Sequence, residues 1–110
     1  MDKLLYLTLL YDFYGELLTT KQQNFFEMYY HENLSLSEIA GHYNITPQGV
    51  SDHLKRTEKL LNNYEDKLML LNRHKNRKKI SDALQKIIDN TEVDSETKSN
   101  LKQQILNMIE

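Results

Sequence analysis

The amino-acid sequence predicts an all-α fold. The chain of 110 residues contains three glycines and one proline, which is few for the tight turns that a β protein needs. Its apolar residues recur at the three- and four-residue spacing of helix faces, and no segment alternates apolar and polar residues as a strand does. Because the length is that of one domain, we predict a single all-helical domain over residues 1–110.

Two helices are predicted at the start of the chain. Residues 2–18 form a helix with apolar side chains on almost every side, so more than one neighbour has to cover it. Thr19 or Thr20 can cap a second, aromatic-rich helix from about Lys21 to Glu32. A short chain has little material to cover the first helix, and a partner subunit is one source of the missing cover.

The next segment has the spacing of a helix-turn-helix motif. Ser35 and Glu38 stand three residues apart, as in the capping box that begins a helix. Asn44 occupies the turn, where a residue has to tolerate a positive φ angle. Thr46 can cap the second helix. We therefore predict a helix-turn-helix over about 34–54.

The second motif helix is predicted to continue far beyond the motif. No glycine or proline interrupts the chain between Val50 and Ile80, and apolar residues alternate at the four- and three-residue steps of a heptad. We expect one helix from Thr46 to about Leu71 or beyond. Its apolar seam faces the N-terminal helix of the same chain or a twin helix from a second copy, and the two apolar surfaces together favour a homodimer. The seam consists of Thr57 with Val50, Leu54, Leu61, Tyr64, Leu68 and Leu71.

Positive charge is concentrated in one segment. The formal net charge is −2, but residues 67–79 carry six basic residues and no acid. Such a segment can bind the phosphates of DNA or of structured RNA, although many are solvated helix ends. The candidate binding residues are Arg73, Lys75, Arg77, Lys78 and Lys79.

The start of the second motif helix is another candidate binding site. In a helix-turn-helix that reads duplex DNA, these residues reach base edges in the major groove. Gln48 can pair with adenine, and Ser51 can contact a phosphate or a base edge. Lys55 and Arg56 follow, but Asp52 repels phosphate, and the first two turns lack a basic residue. This face therefore either recognises DNA bases weakly or is an ordinary polar helix surface.

A helical tail is predicted over residues 80–110. Ser81 or Asp82 can open one helix, and Asp94 or Ser95 can open the last one. Four apolar residues at helical spacing predict that the last helix packs through its second half. These residues are Leu101, Ile105, Leu106 and Ile109.

Catalytic and metal-binding groupings are missing from the sequence. There is no glycine-rich phosphate loop, no nucleophile motif and no cysteine, and the four histidines form no ligand pair. We therefore expect neither an enzyme nor a metal or cofactor site. The apolar run from Leu4 to Leu18 is interrupted by Asp12 and Glu16 and is too short to span a bilayer. We expect a soluble, cytoplasmic protein without membrane insertion.

Several segments carry a resemblance to a known family. They begin at Leu10 (LYDFYGELLTTKQ), Leu34 (LSLSEIA), Lys55 (KRTEKLL) and Tyr64 (YEDKL). Together they resemble the YlxM-like family of small helix-turn-helix proteins of Gram-positive bacteria. Residues 34–61 also resemble region 4 of bacterial sigma factors, which reads promoter DNA.

The resemblance implies a regulatory role linked to the signal recognition particle, because genes of this family lie beside that of the particle's GTPase. A protein with a basic segment and a weak major-groove reader can bind the particle's RNA by backbone shape, or dock on the GTPase. Our first hypothesis is a non-catalytic regulator of co-translational targeting. The alternatives are a DNA-binding transcription regulator and a protein adaptor that binds through its acidic N-terminal half and its seam. The DNA-binding alternative uses Gln48, Ser51, Lys55 and Arg56.

Overall fold

The computed structural model describes residues 2–109 and confirms the all-α prediction. All regular structure in this range is helical, and short loops join the helices. A 3-10 helix (Gly15–Leu17) follows the first α-helix, and a π-helical turn (Glu27–His31) follows the second. The α-helices are α1 (Lys3–Tyr14), α2 (Thr20–Phe26), α3 (Leu36–Tyr43), α4 (Pro47–Leu68), α5 (Leu70–Asp89) and α6 (Ser95–Ile109).

The predicted helix-turn-helix is formed by α3 and α4. The Ser35 hydroxyl accepts a hydrogen bond from the Glu38 amide at 3.0 Å, and the Glu38 carboxylate accepts one from the Ser35 amide at 3.1 Å, which completes the capping box. Asn44 lies in the left-handed region with φ 57° and ends α3. The Thr46 hydroxyl accepts from the Gly49 amide at 3.0 Å and caps α4. Local chemistry therefore determines both ends of the turn.

The core beneath this motif is aromatic and aliphatic. Phe25 of α2 packs with Ile39 and Ala40 of α3, and Val50 and Leu54 of α4 complete the cluster. All five side chains are buried. The small side chain at position 40 lets α3 and α4 approach closely, as the motif requires.

The seam of α4 is covered within the chain. Both α1 and α2 pack against α4. Beyond the buried part of the seam, the Tyr64 ring lies 5.9 Å from the ring of Tyr14 in α1. The N-terminal helix therefore covers part of the seam, α2 and α3 cover its first residues, and the buried seam residues are not available to a twin helix. These residues are Val50, Leu54, Thr57 and Leu61.

The prediction of one helix running to Leu71 or beyond is wrong. α4 ends at Leu68, and Met69 adopts a left-handed conformation with φ 56° and ψ 29°. The Met69 amide donates to the Glu65 carbonyl at 2.8 Å, which closes the last turn of α4. Leu68 is exposed, and Leu71 lies on α5, so neither continues the seam.

The described residues divide into two compact units at this left-handed residue. The N-terminal unit, up to Met69, holds α1 to α4, and the C-terminal unit, from Leu70 onward, is a hairpin of α5 and α6. The single domain over residues 1–110 that we predicted stays a prediction.

The two tail helices differ in how well the sequence predicted them. The prediction that a helix starts at Ser81 or Asp82 is wrong, because α5 runs through both residues from Leu70. Ser81 is buried, and its hydroxyl accepts from the Gln85 side chain at 3.1 Å. The start of α6 is as predicted, with the Asp94 carboxylate accepting from the Thr97 amide at 2.7 Å.

Candidate nucleic-acid interface

The outer face of α4 carries the residues predicted to read bases. Gln48, Lys55 and Arg56 are exposed there, whereas Ser51 is half-buried at the edge of the face. The Gln48 side-chain amide donates to the Asp52 carboxylate at 3.0 Å. This bond occupies one donor of the glutamine and places a carboxylate beside it, so the start of α4 is poorly suited to a polyanion.

The five basic candidates of the second site all lie on α5. Arg73, Arg77, Lys78 and Lys79 are exposed. None of these four side chains forms an ion pair with a residue in the described range. They are therefore not neutralised inside the unit that carries them and can contact an external anion.

The helix divides these residues between two faces. A helix rotates by about 100° per residue, which places Lys75, Lys78 and Lys79 within about 100° of one another. We call these three residues the lysine face. Arg73 and Arg77 lie on the other side of α5, and Arg77 lines a groove between α5 and α6.

The charge of the chain differs between the two units. Up to Met69 the sequence contains six basic and ten acidic residues, whereas from Leu70 onward it contains eight basic and six acidic residues. The lysine face therefore belongs to the positive part of a protein that is negative overall.

Three tyrosine–glutamate hydrogen bonds join the helices of the N-terminal unit, and sequence reasoning missed all of them. The Tyr14 hydroxyl donates to Glu65 at 2.6 Å, and the Tyr11 hydroxyl donates to Glu27 at 2.7 Å. A third bond joins the Tyr30 hydroxyl to the Glu58 carboxylate. Burial and the neighbouring carboxylate raise the pKa of both Tyr11 and Tyr30. The partners lie between 16 and 51 residues apart, so no local pattern could reveal them.

His53 lies on α4 against the aromatic core. Its ring centroid is 4.4 Å from that of Phe25, and its Nδ1 atom is buried without a hydrogen-bond partner in the described range. Burial lowers the pKa of His53, and the positive charges of Lys21 and Arg56 lower it further. The neutral imidazole is therefore a packing residue, and nothing in the sequence distinguished it from the other histidines.

Within residues 2–109, no cluster of histidine and carboxylate side chains is arranged to hold a metal ion. No helix in this range has the length and apolar character that a membrane span requires.

The fold and this site define the class of the protein as an all-α helix-turn-helix protein. The chain belongs to the UPF0122 family, described as "Putative helix-turn-helix protein, YlxM / p13 like", whose profile matches residues 1–105. This match confirms the resemblance to the YlxM-like family.

Relatives of similar length cover most of the chain. A UPF0122 protein of Bacillus licheniformis is 44% identical over 89 residues, which cover 81% of this chain and 83% of the relative. A UPF0122 protein of Listeria innocua is 40% identical over 98 residues, covering 88% and 89%. A UPF0122 protein of a Thermoanaerobacter species is 49% identical over 88 residues, covering 80% and 75%.

Proposed function

We propose that this protein is a non-catalytic regulator that binds structured nucleic acid through the lysine face of α5. One observation carries the proposal. Lys78 and Lys79 are exposed and form no ion pair in the described range, and they share a helix face with Lys75 in a protein of net negative charge. Such a local concentration of positive charge is the electrostatic footprint of a polyanion site.

The dimensions of this face favour a phosphate backbone. Lys86 extends the face, and the 12 residues from Lys75 to Lys86 span about 16 Å of helix. Each lysine that neutralises a phosphate releases counterions, which makes the affinity depend steeply on salt. The basic segment contains no Phe, Tyr or Trp on which unpaired bases could stack, so a folded duplex suits it better than a single strand.

The RNA of the signal recognition particle is our specific proposal for this polyanion. The YlxM-like resemblance supports it, and so does the charge of α5, because double-stranded RNA is recognised through its phosphates and shape. If the protein is instead an adaptor that docks on the particle's GTPase, it needs no affinity for this RNA or for duplex DNA. In that case we expect it to bind neither.

A DNA-binding transcription regulator is the second candidate function. The observation that favours it is the exposed Gln48 at the start of the second motif helix, where such helices contact bases. Its hydrogen bond to Asp52 is the main argument against it, because the carboxylate would lie close to the DNA phosphates.

A salt titration of binding to the particle's RNA and to duplex DNA tests these functions. The test variant is Lys78→Glu with Lys79→Glu. We expect it to weaken RNA binding at least ~10-fold and to lower the slope of log K against log salt by about 2. The charge-matched control is Lys21→Glu with Lys59→Glu, two exposed lysines of the N-terminal unit that lie outside the lysine face. We expect it to lose less affinity than the test variant.

The three functions give different results. A sequence-dependent loss of duplex DNA binding on Gln48→Ala, with the lysine variant unaffected, would support the transcription regulator. If the wild-type protein binds neither nucleic acid but does bind the GTPase, our proposal is contradicted and the adaptor function is supported.

A further inference from the structure

The α5–α6 hairpin carries an apolar stripe on its longer helix. Ile80, Leu84 and Ile87 follow one another at four- and three-residue steps, so they lie on one side of α5. Their exposed fractions are 61%, 41% and 61%. Large aliphatic side chains are thus aligned along a helix and left open to solvent.

The shorter helix repeats this pattern. Leu101, Ile105 and Met108 have the same spacing on α6, and Leu101 and Met108 are 40% and 79% exposed. Ile105 and Met108 line a groove of about 180 Å³ together with Ile80 and Leu84 of α5. The two stripes therefore adjoin one another, and they form one surface that we call the hairpin face.

The hairpin has little core of its own. Among the described residues from Leu70 onward, Leu71 and Ser81 are the ones that are buried, and α6 contributes none. Helices of 20 and 15 residues owe most of their stability to the burial of an apolar face. The hairpin face therefore needs an additional surface to pack against.

We propose that a second copy of this chain covers the hairpin face, so that two hairpins form an antiparallel four-helix bundle. The alternating four- and three-residue steps on both helices are the pattern of bundle cores. Because α5 and α6 present stripes of equal length, the face is complementary to itself under two-fold symmetry.

Charge complementarity selects the orientation of the two copies. Arg73 and Arg77 extend the α5 stripe at the open end of the hairpin, whereas Glu92 and Glu96 are exposed at the loop end. When α5 packs antiparallel on its twin, the arginines of each copy lie near the glutamates of the other. The opposite orientation would bring the arginines of both copies together, which costs energy.

The proposed dimer leaves the lysine face free. Lys75 and Lys78 lie about 140° and 160° around α5 from Ile80, and Lys79 lies about 100° from it, so all three fall outside the stripe. Dimerisation and nucleic-acid binding then use different faces of one helix. The interface also differs from the N-terminal helix and α4 seam that the sequence suggested, since that seam is buried within the chain.

Light scattering between ~1 and ~100 µM tests the interface, a range in which a dissociation constant in the micromolar region is resolved. We expect a dimer for the wild-type chain. The test variant, Ile87→Glu with Met108→Glu, should raise the dissociation constant at least ~30-fold, because it puts charges in the proposed bundle core. The matched control is Leu5→Glu with Leu17→Glu, two leucines that are 50% and 55% exposed in the N-terminal unit, and it should stay dimeric. A wild-type monomer up to ~100 µM would overturn the proposal, and so would a dimer that only the control variant disrupts.

Cysteine cross-linking tests the orientation independently of any destabilising charge. The chain has no cysteine, and Leu84 is the middle residue of the α5 stripe. In the antiparallel bundle the two copies of Leu84 meet at the symmetry axis, so Leu84→Cys should form a disulfide-linked dimer under mild oxidation. Leu17→Cys is the exposed control and should cross-link slowly. Equal cross-linking rates for the two variants would contradict the proposed bundle.

Discussion

The two units of this protein bury their apolar residues to very different extents. In the N-terminal unit, aromatic and aliphatic side chains from all four helices are buried, and Phe25, Phe26 and Tyr14 are fully enclosed. In the C-terminal hairpin, Ile80 and Met108 are largely exposed although they occupy core-like positions on their helices. One chain thus combines a unit that satisfies its own packing with a unit that does not.

This difference indicates how each unit is stabilised. The N-terminal unit adds long-range tyrosine–glutamate bonds to its core, and the partners of Tyr14 and Tyr30 lie 51 and 28 residues away. Within the hairpin, an ion pair joins Lys102 and Asp89 at 2.5 Å, between neighbouring helices. We therefore expect the stability of the first unit to be intrinsic and that of the second to depend on association.

The largest expected effect comes from truncating the core of the N-terminal unit. Phe25→Ala should destabilise this unit by ~3–5 kcal/mol because it leaves a cavity under the helix-turn-helix. The matched change in the hairpin, Ile87→Ala, should cost less than about 0.5 kcal/mol in dilute monomer, because that side chain is exposed. All seven tyrosines precede Met69, so tyrosine fluorescence during urea unfolding reports on the N-terminal unit, and circular dichroism reports on both. Equal losses in the two units would contradict the comparison.

The second largest effect is expected from losing the hydrogen bond between Tyr14 of α1 and Glu65 of α4. Tyr14→Phe removes a buried hydroxyl that donates to Glu65 and should lower the stability of the N-terminal unit by ~1.5–3 kcal/mol. Tyr29→Phe is the control, since no described residue hydrogen-bonds its hydroxyl, and it should change stability by less than about 0.5 kcal/mol. Urea midpoints from tyrosine fluorescence give both values, and similar losses would assign the effect to the ring rather than to the hydroxyl bond.

A smaller effect is expected at the boundary between the units. Met69 is left-handed, which costs a residue with a side chain about 1 kcal/mol that glycine avoids. Met69→Gly should therefore stabilise the end of α4 by up to ~1 kcal/mol, less the entropy that glycine loses on folding. Urea unfolding measures the difference, and Lys67→Gly, inside the last turn of α4, should instead destabilise it by ~1 kcal/mol. A Met69→Gly loss as large as that of the control would contradict a left-handed conformation at this position.

The smallest expected effect is a pH dependence from His53. Its pKa in the folded chain lies below the ordinary value of 6.5, so the unfolded chain binds more protons between these two values. Stability is then fully present above pH 6.5 and declines as the pH falls toward the folded pKa. His53→Gln should flatten this decline in urea midpoints measured across that window, at the cost of lower stability at neutral pH. An unchanged slope in the variant would exclude His53 as the source.

The parts of the fold that the sequence predicted well are those governed by local chemistry. Ser35, Asn44 and Thr46 act through neighbours within a few residues, so their roles in capping and turning follow from residue type and spacing. The start of α6 at Asp94 follows the same rule. The basic residues of α5 were identified from charge alone, although their binding role stays a prediction.

The parts that were predicted wrongly depend on contacts distant in sequence. Met69 has no feature that marks a left-handed residue, so residue type gave no signal of its positive φ. Serine often caps helices, but Ser81 is buried inside α5, where its hydroxyl accepts a hydrogen bond from the Gln85 side chain. A heptad pattern shows that α4 packs on a helix without specifying which one, so the coverage by α1 required the structure.

Amide hydrogen exchange of the intact protein at two concentrations tests the central claim, that the first unit is stable by itself and the hairpin depends on a second copy. We expect the protection of α3 and α4 to be the same at ~1 and ~100 µM, whereas the protection of α5 and α6 should rise with concentration as the dimer forms. Protection of α5 and α6 that is strong and equal at both concentrations, in protein that light scattering shows to be monomeric, would contradict the account.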